Sequence, residues 1–140
     1  MNEQDQLANT IALKIIADDL FSQWLGVEIV AIKEGYSKIL LRIRPEMINA
    51  IGIAHGGIVF SLADTALALA CNGRNKASVT LESAINFIKP VHKNDIITAE
   101  TTEIHNGQST GLYQITLTNQ AAEKVAVFKG TCFRTGKFIV

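Results

Sequence analysis

The residues of this sequence that could support chemistry are concentrated in one stretch, which begins with His55-Gly56-Gly57 and continues into an apolar segment containing Asp64. From Ile58 to Cys71, eleven of fourteen residues are apolar, and a carboxylate in such a segment is costly to bury unless it is paired or used. Burial raises the pKa of a carboxyl group, which suits a general base near neutral pH. Asp64 is therefore a candidate catalytic base, and a structural aspartate that hydrogen-bonds a neighbour is the alternative.

The two glycines, Gly56 and Gly57, stand where the apolar segment begins. Residues in the first turn of a helix have free N–H groups and lie at the positive end of the helix dipole, and glycine lets a ligand come close to the backbone. Such a donor stabilises an oxyanion by about 3–4 kcal/mol in acyl transfer. A tight turn from loop to helix would also account for the pair, so both interpretations stay open.

Gly56 and Asp64 are too far apart to act on one carbonyl group within one chain. Eight residues of helix correspond to about 12 Å, whereas a base and an oxyanion donor must both come within about 3–4 Å of the reacting group. If both are catalytic, Asp64 must work with Gly56 of a second copy on an antiparallel helix. The sequence therefore predicts a homodimer with two equivalent sites as the active unit.

The elements that must position these residues follow from the hydrophobic periodicity. An amphipathic helix is predicted over Leu7–Trp24, and a buried helix over Ile58–Cys71, which is too short to span a membrane. Strands are predicted over Val27–Ile32, Tyr36–Ile43, Ser78–Pro90, Ile96–His105, Leu112–Thr118 and Val125–Thr135.

The order of these elements predicts the fold class. The four later strands are joined by short connections and are therefore expected to be antiparallel neighbours. A helix that is apolar on nearly every side must be wrapped, and the sheet is the only candidate. The prediction is an α+β hotdog fold, in which a curved antiparallel sheet of about six strands wraps a long central helix and a short helix precedes it, although the element count also fits other α+β folds.

Composition limits the possible partners. The 140 residues suit a single domain over 1–140, and 13 basic residues balance 13 acidic ones, so no nucleic-acid partner is expected. Cys71 and Cys132 are too few for a disulfide framework and are predicted to be reduced packing residues of a cytoplasmic protein, without a signal peptide or a membrane partner. No metal site is expected from the scattered histidines and isolated cysteines, and no phosphate-binding loop or dinucleotide fingerprint is present.

The run from His55 to Ala66, HGGIVFSLADTA, followed by Cys71-Asn72, resembles the signature of hotdog-fold acyl-CoA thioesterases of the phenylacetic-acid-degradation (PaaI) type. The resemblance extends over nearly the whole chain, including Asn49 and the strand end Ile85–Pro90. It implies hydrolysis of an aryl- or medium-chain acyl-CoA to a free acid and coenzyme A, by a homotetramer made of two dimers. It implies no cofactor, because coenzyme A is part of the substrate.

The resemblance also implies roles for individual residues. Asp64 would activate water or attack the thioester, the Gly56 N–H would polarise the carbonyl, and the remaining catalytic candidates are Asn49 and His55, which orient the site, and Thr80, which holds the water. Substrate-binding candidates are Gly57, Ser61 and Thr65 beside Asp64, and Lys89, Lys93, Gln108, Ser109, Thr110, Gly111 and Arg134 near the coenzyme. A non-catalytic acyl-CoA-binding or regulatory module of the same fold is the alternative function.

Overall fold

All six predicted strands and the buried helix are present in the computed structural model, which describes residues 1–140, and their bounds differ from the predicted ones by at most three residues. The helices are α1 (Glu3–Asp18), α2 (Leu20–Leu25) and α3 (Gly56–Asn72). The strands are β1 (Glu28–Lys33), β2 (Tyr36–Arg42), β3 (Ser78–Phe87), β4 (Ile96–Asn106), β5 (Thr110–Thr118) and β6 (Lys124–Arg134).

The prediction of one helix over Leu7–Trp24 is wrong, because the segment forms two helices that meet at Asp19. The first helix begins earlier than predicted, at Glu3, where the side chain of Asn2 caps its first turn. At the break, the carboxylate of Asp19 accepts the backbone N–H of Ser22 at 3.0 Å. This contact starts a new helix, so the continuous apolar stripe conceals a change of direction.

The six strands form one antiparallel sheet in the order β1-β2-β4-β5-β6-β3. The prediction that the four later strands are consecutive neighbours is wrong for β3, which pairs with β6 and not with β4. The connection, residues 88–95, passes the start of α3, where Val91 accepts the N–H of Ala54 at 2.7 Å. Eight extended residues span about 26 Å, more than three strand spacings of about 4.8 Å, so a short connection does not require adjacent strands.

The sheet wraps α3, as the hotdog fold requires. Leu62, Leu67 and Leu69 of the helix are fully buried. From the sheet they meet residues that are equally buried, among them Ile39, Ile97, Ile115 and Phe128. Cys71 and Cys132 are also buried and are not joined by a disulfide. The chain contains no helix that is both long enough and apolar enough to cross a bilayer.

Strand β3 lies at one end of the sheet, so one of its edges has no partner strand. Three of its apolar side chains are largely exposed, Val79 at 57%, Leu81 at 64% and Phe87 at 56%. Long apolar edge strands are unusual in monomers, because they offer unpaired backbone groups and apolar surface to another chain. Strand β3 therefore has the properties of an interface.

Candidate active site

Asp64 lies in the middle of α3 and is half-buried. Its Oδ1 accepts a long hydrogen bond of 3.4 Å from the hydroxyl of Thr80, which lies on β3. Burial raises the pKa of Asp64; the contact with Thr80 opposes this rise, and the negative charge of Asp19 adds to it. Because the net direction is upward, Asp64 is a stronger proton acceptor than an exposed aspartate.

A cavity of about 320 Å³ opens beside Asp64 between α2 and α3. Its aromatic walls are Phe21 and Phe60, and Ser61 and Thr65 also line it. The Ser61 hydroxyl donates to the Gly57 carbonyl at 2.6 Å, and the Thr65 hydroxyl is hydrogen-bonded to α2. Both predicted substrate-binding hydroxyls are therefore beside the base, although each has a partner within the chain.

The two glycines at the start of α3 differ in what their N–H groups do. His55 caps the helix, since its Nδ1 accepts the N–H of Gly57 at 2.9 Å. The N–H of Gly56 has no acceptor in the chain, and Gly56 lines a second cavity, of about 360 Å³. Gly56 is therefore the free donor of the pair, and His55 and Gly57 fix the turn that presents it.

Asn49 lines the same cavity as Gly56. Its side-chain oxygen accepts the backbone N–H groups of Ile51 and Ile53, at 3.0 and 3.3 Å. With the oxygen occupied in this way, the amide NH₂ has no acceptor in the chain and is free to donate. The second cavity thus combines two unused donors, a backbone amide and a carboxamide, which is the arrangement that stabilises a developing oxyanion.

The base, Asp64, and the two oxyanion donors, Gly56 and Asn49, do not meet within one chain. Asp64, which Thr80 contacts, lines the first cavity, whereas Gly56 and Asn49 line the second. Gly56 and Asp64 both lie in the continuous helix α3, and the eight residues between their positions correspond to about 12 Å along the helix axis. Each chain therefore contains the two halves of a site at different places.

The predicted coenzyme contacts lie at opposite ends of the sheet. Lys89 and Lys93 are exposed on the connection that follows β3, and Lys89 lines the cavity with Gly56 and pairs with Glu123 at 2.5 Å. Gln108 and Ser109 are exposed in the turn before β5, and Thr110 begins that strand, at the end of the sheet where β3 starts. One chain therefore does not bring these two groups together.

Arg134 and Gly111, also predicted coenzyme contacts, lie in the interior. Arg134 is 6% exposed, and its guanidinium donates to the Cys71 carbonyl at 3.0 Å and to Asn106 Oδ1 at 2.8 Å. A Cβ on Gly111 would lie 2.9 Å from Arg134 Nη2, so the glycine makes room for the guanidinium. Their surroundings in the chain indicate structural roles and give no support to a coenzyme contact.

Asp19 is a cavity residue that the sequence did not reveal as part of the site. It lines the cavity of Asp64 and acts on the pKa of Asp64. The available signal was its residue type, because aspartate is one of the preferred residues at the start of a helix. Such a cap would have divided the predicted helix Leu7–Trp24 and turned α2 toward α3.

Comparisons with known proteins show the family and the fold of the chain. Residues 51–126 match the model of the thioesterase superfamily. The acyl-coenzyme A thioesterase PaaI of Escherichia coli is 37% identical over 119 residues, 85% of each chain. The solved structure of the E. coli PaaI protein has a TM-score of 0.95 at 34% identity, covering 97% of this chain and 99% of that one. A hypothetical thioesterase of Streptococcus pneumoniae, solved with coenzyme A, has a TM-score of 0.77 at 29% identity, covering 80% and 90%.

Proposed function

The chain belongs to the thioesterase superfamily and is a thioester hydrolase, and we propose that its substrate is an acyl-coenzyme A. The observation that carries the proposal is the presence on one helix of a half-buried carboxylate, Asp64, and an unused amide donor, Gly56. A base and an oxyanion donor are the two groups that thioester hydrolysis needs. The two relatives named above, one an acyl-coenzyme A thioesterase and the other solved with coenzyme A, support the coenzyme as the leaving group.

In the proposed reaction, Asp64 accepts one proton from a water molecule while the water oxygen bonds to the thioester carbonyl carbon. The carbonyl oxygen becomes an oxyanion that accepts hydrogen bonds from Gly56 and Asn49. The intermediate then collapses, the carbon–sulfur bond breaks, and the thiolate of coenzyme A takes up the proton held by Asp64, which regenerates the base. Direct attack by Asp64 is the alternative, and a single turnover in ¹⁸O water labels the Asp64 carboxyl group only in that case.

The site is proposed to form between two copies of the chain. Strand β3 offers an unpaired apolar edge, and a two-fold axis at this edge makes the two β3 strands antiparallel. The start of one β3 then lies beside the end of the other, so Gln108, Ser109 and Thr110 of one chain approach the partner's Lys89. Coenzyme A carries phosphates that these groups can bind, and the halves of the catalytic site meet across the same seam. Pairing of two such dimers into a homotetramer is implied by the resemblance alone.

The acyl group is proposed to be an aryl or medium-chain acyl group. The cavity beside Asp64 has walls formed by Phe21 and Phe60, and aromatic walls suit flat or flexible apolar groups. A volume of about 320 Å³ lies at the small end of the range for ligand pockets, about 300–1,000 Å³. A cytoplasmic location belongs to the proposal as well, and it rests on the two buried cysteines that are not joined in a disulfide.

A release assay tests the proposed function. The wild-type chain is incubated with short, medium, long and aryl acyl-CoA substrates, and the free thiol of coenzyme A is measured. We expect the highest kcat/KM among the aryl and medium-chain substrates. Tight binding of acyl-CoA without thiol release would contradict the proposal and favour a non-catalytic binding module.

Mixing two inactive variants should restore activity if the site is shared between chains. Asp64→Asn removes the base and Gly56→Pro removes the amide hydrogen, so each variant alone lacks one half of every site. When both are co-expressed in equal amounts, half of the dimers are hybrids, and each hybrid has one site with both groups intact. Thiol release should therefore reach about a quarter of the wild-type rate.

A site contained within one chain gives a different result. Every chain would then lack either the carboxylate or the amide hydrogen, and the mixture would be as inactive as its parents. The control is a mixture of the two purified variants assayed at once, before subunits exchange. A rate that rises from the parental level during incubation indicates exchange into hybrids.

A further inference from the structure

Asp19 lies in the wall of the cavity that contains Asp64, at the junction between α1 and α2. Its carboxylate is held on both oxygens by one residue. Oδ1 accepts the backbone N–H of Ser22 at 3.0 Å, and Oδ2 accepts the Ser22 hydroxyl at 2.5 Å. Two contacts to the same residue fix the orientation of the side chain, so its negative charge has a defined place in the cavity wall.

Ser22 connects this carboxylate to the catalytic helix. Its Oγ lies 3.0 Å from the Oγ1 of Thr65, and the two residues are 1% and 7% exposed. Because the single hydroxyl hydrogen of Ser22 goes to Asp19, the Thr65 hydroxyl must be the donor in this contact. Thr65 directly follows Asp64 in α3, so the chain of hydrogen bonds ties Asp19 to the turn that carries the base.

The cap at the start of α2 does not need a charge, because asparagine and serine cap helices as well as aspartate does. A second carboxylate beside Asp64 instead makes its ionisation harder, and the charge of Asp19 raises the pKa of Asp64. Asp64 is the only charged residue of α3, the group that β3 presents to it is the hydroxyl of Thr80, and no lysine, arginine or histidine lines the cavity. Within one chain, the charge of Asp19 therefore acts on the base without an opposing cation in the cavity.

We propose that Asp19 is a positioning residue of the hydrolytic reaction, which holds its carboxylate in the cavity wall beside Asp64 and favours the transfer of a proton to that residue. The inference rests on the proposed function, since it concerns the same site. As Asp64 takes the proton from water, its negative charge disappears and the repulsion between the two carboxylates is relieved. Both oxygens of Asp19 already accept hydrogen bonds from Ser22, so Asp19 favours the proton transfer without taking part in it.

The test is the pH dependence of kcat/KM in the variant Asp19→Asn, which keeps the cap and removes the charge. Activity of the wild type rises with pH as Asp64 ionises. In the variant, ionisation of Asp64 is easier, so we expect this rise to move to lower pH by about half a unit. The weaker base should lower the plateau rate by about twofold or more, while the thermal midpoint stays close to that of the wild type.

Ser22→Ala is the matched control, because it removes the hydroxyl that links Asp19 to Thr65 and keeps both the carboxylate of Asp19 and its contact with the backbone N–H of residue 22. We expect a lower thermal midpoint, while kcat/KM rises over the same pH range as in the wild type (the acidic limb of the profile). The inference is overturned if the limb of Asp19→Asn coincides with that of the wild type, or if Ser22→Ala moves the limb equally far. Absence of thiol release by the wild type overturns the proposed function itself, which distinguishes the two failures.

Discussion

Replacing Asp64 by asparagine should lower kcat for acyl-CoA hydrolysis by about 10³-fold, since general bases contribute about 10²–10⁴-fold. Asparagine has nearly the same shape, so the cavity and the contact with Thr80 remain possible, while the group can no longer accept a proton. The Kd for a non-hydrolysable acyl-CoA analogue should change little. Thiol release at saturating substrate and calorimetric binding of the analogue measure the two quantities separately.

The same substitution should not destabilise the fold at neutral pH. The pKa of Asp64 is raised in the folded chain, so its contribution to stability is greatest below the unfolded value of 3.8 and is lost as pH rises through the folded pKa. At pH 7 the charged carboxylate is therefore a cost that asparagine removes. The control is Glu3→Gln, which removes one charge from the exposed start of α1 and should keep full activity; a kcat for Asp64→Asn above a tenth of wild type would contradict the assigned role.

Gly56→Pro should lower kcat by about 10²–10³-fold, the loss typical of one missing oxyanion donor. Proline is tolerated at the first position of a helix, where its missing N–H has no partner within the helix. The preceding residue, His55, has φ −59° and ψ 133°, a conformation that proline permits before it. The variant thus removes the N–H of Gly56, which has no acceptor in the chain, and steady-state kinetics measures the effect.

Gly56→Ala is the steric control for this variant. It retains the N–H and adds a Cβ that would lie 3.1 Å from Cζ of Phe87, whose ring is 56% exposed and can move aside. We expect alanine to lose far less activity than proline, and the ratio between them reports the contribution of the amide hydrogen. Equal losses in the two variants would mean that the hydrogen is not used.

The central helix, the strands and the hotdog fold could be predicted because each depends on a local pattern. An apolar run fixes α3, and alternation fixes the strands, whose bounds are wrong by at most three residues. The place of β3 in the sheet could not be predicted in this way. It depends on the path of residues 88–95 past the start of α3, and that path leaves no periodic signal in the sequence.

The residues of the candidate site can likewise be separated into those that the sequence pattern points to and those that depend on the tertiary structure. Asp64 and Gly56 are candidates because of their residue types and spacing, Asn49 and Thr80 because of the resemblance, and Thr80 does contact Asp64. Asp19 escaped notice because its importance arises only when α2 turns against α3. Arg134 was a candidate coenzyme contact through the resemblance alone, yet the Cys71 carbonyl of α3 and the side chain of Asn106 on β4 hold its guanidinium inside.

Because the base and the oxyanion donor lie in two different cavities of one chain, the activity per chain should depend on the concentration of the protein. If the site forms between two copies, a single chain is inactive until it dimerises. At low concentration, the total rate of thioester hydrolysis should therefore grow with the square of the protein concentration. In a cell that makes little of this protein, almost no thioester would be hydrolysed, and a modest rise in expression would increase hydrolysis steeply.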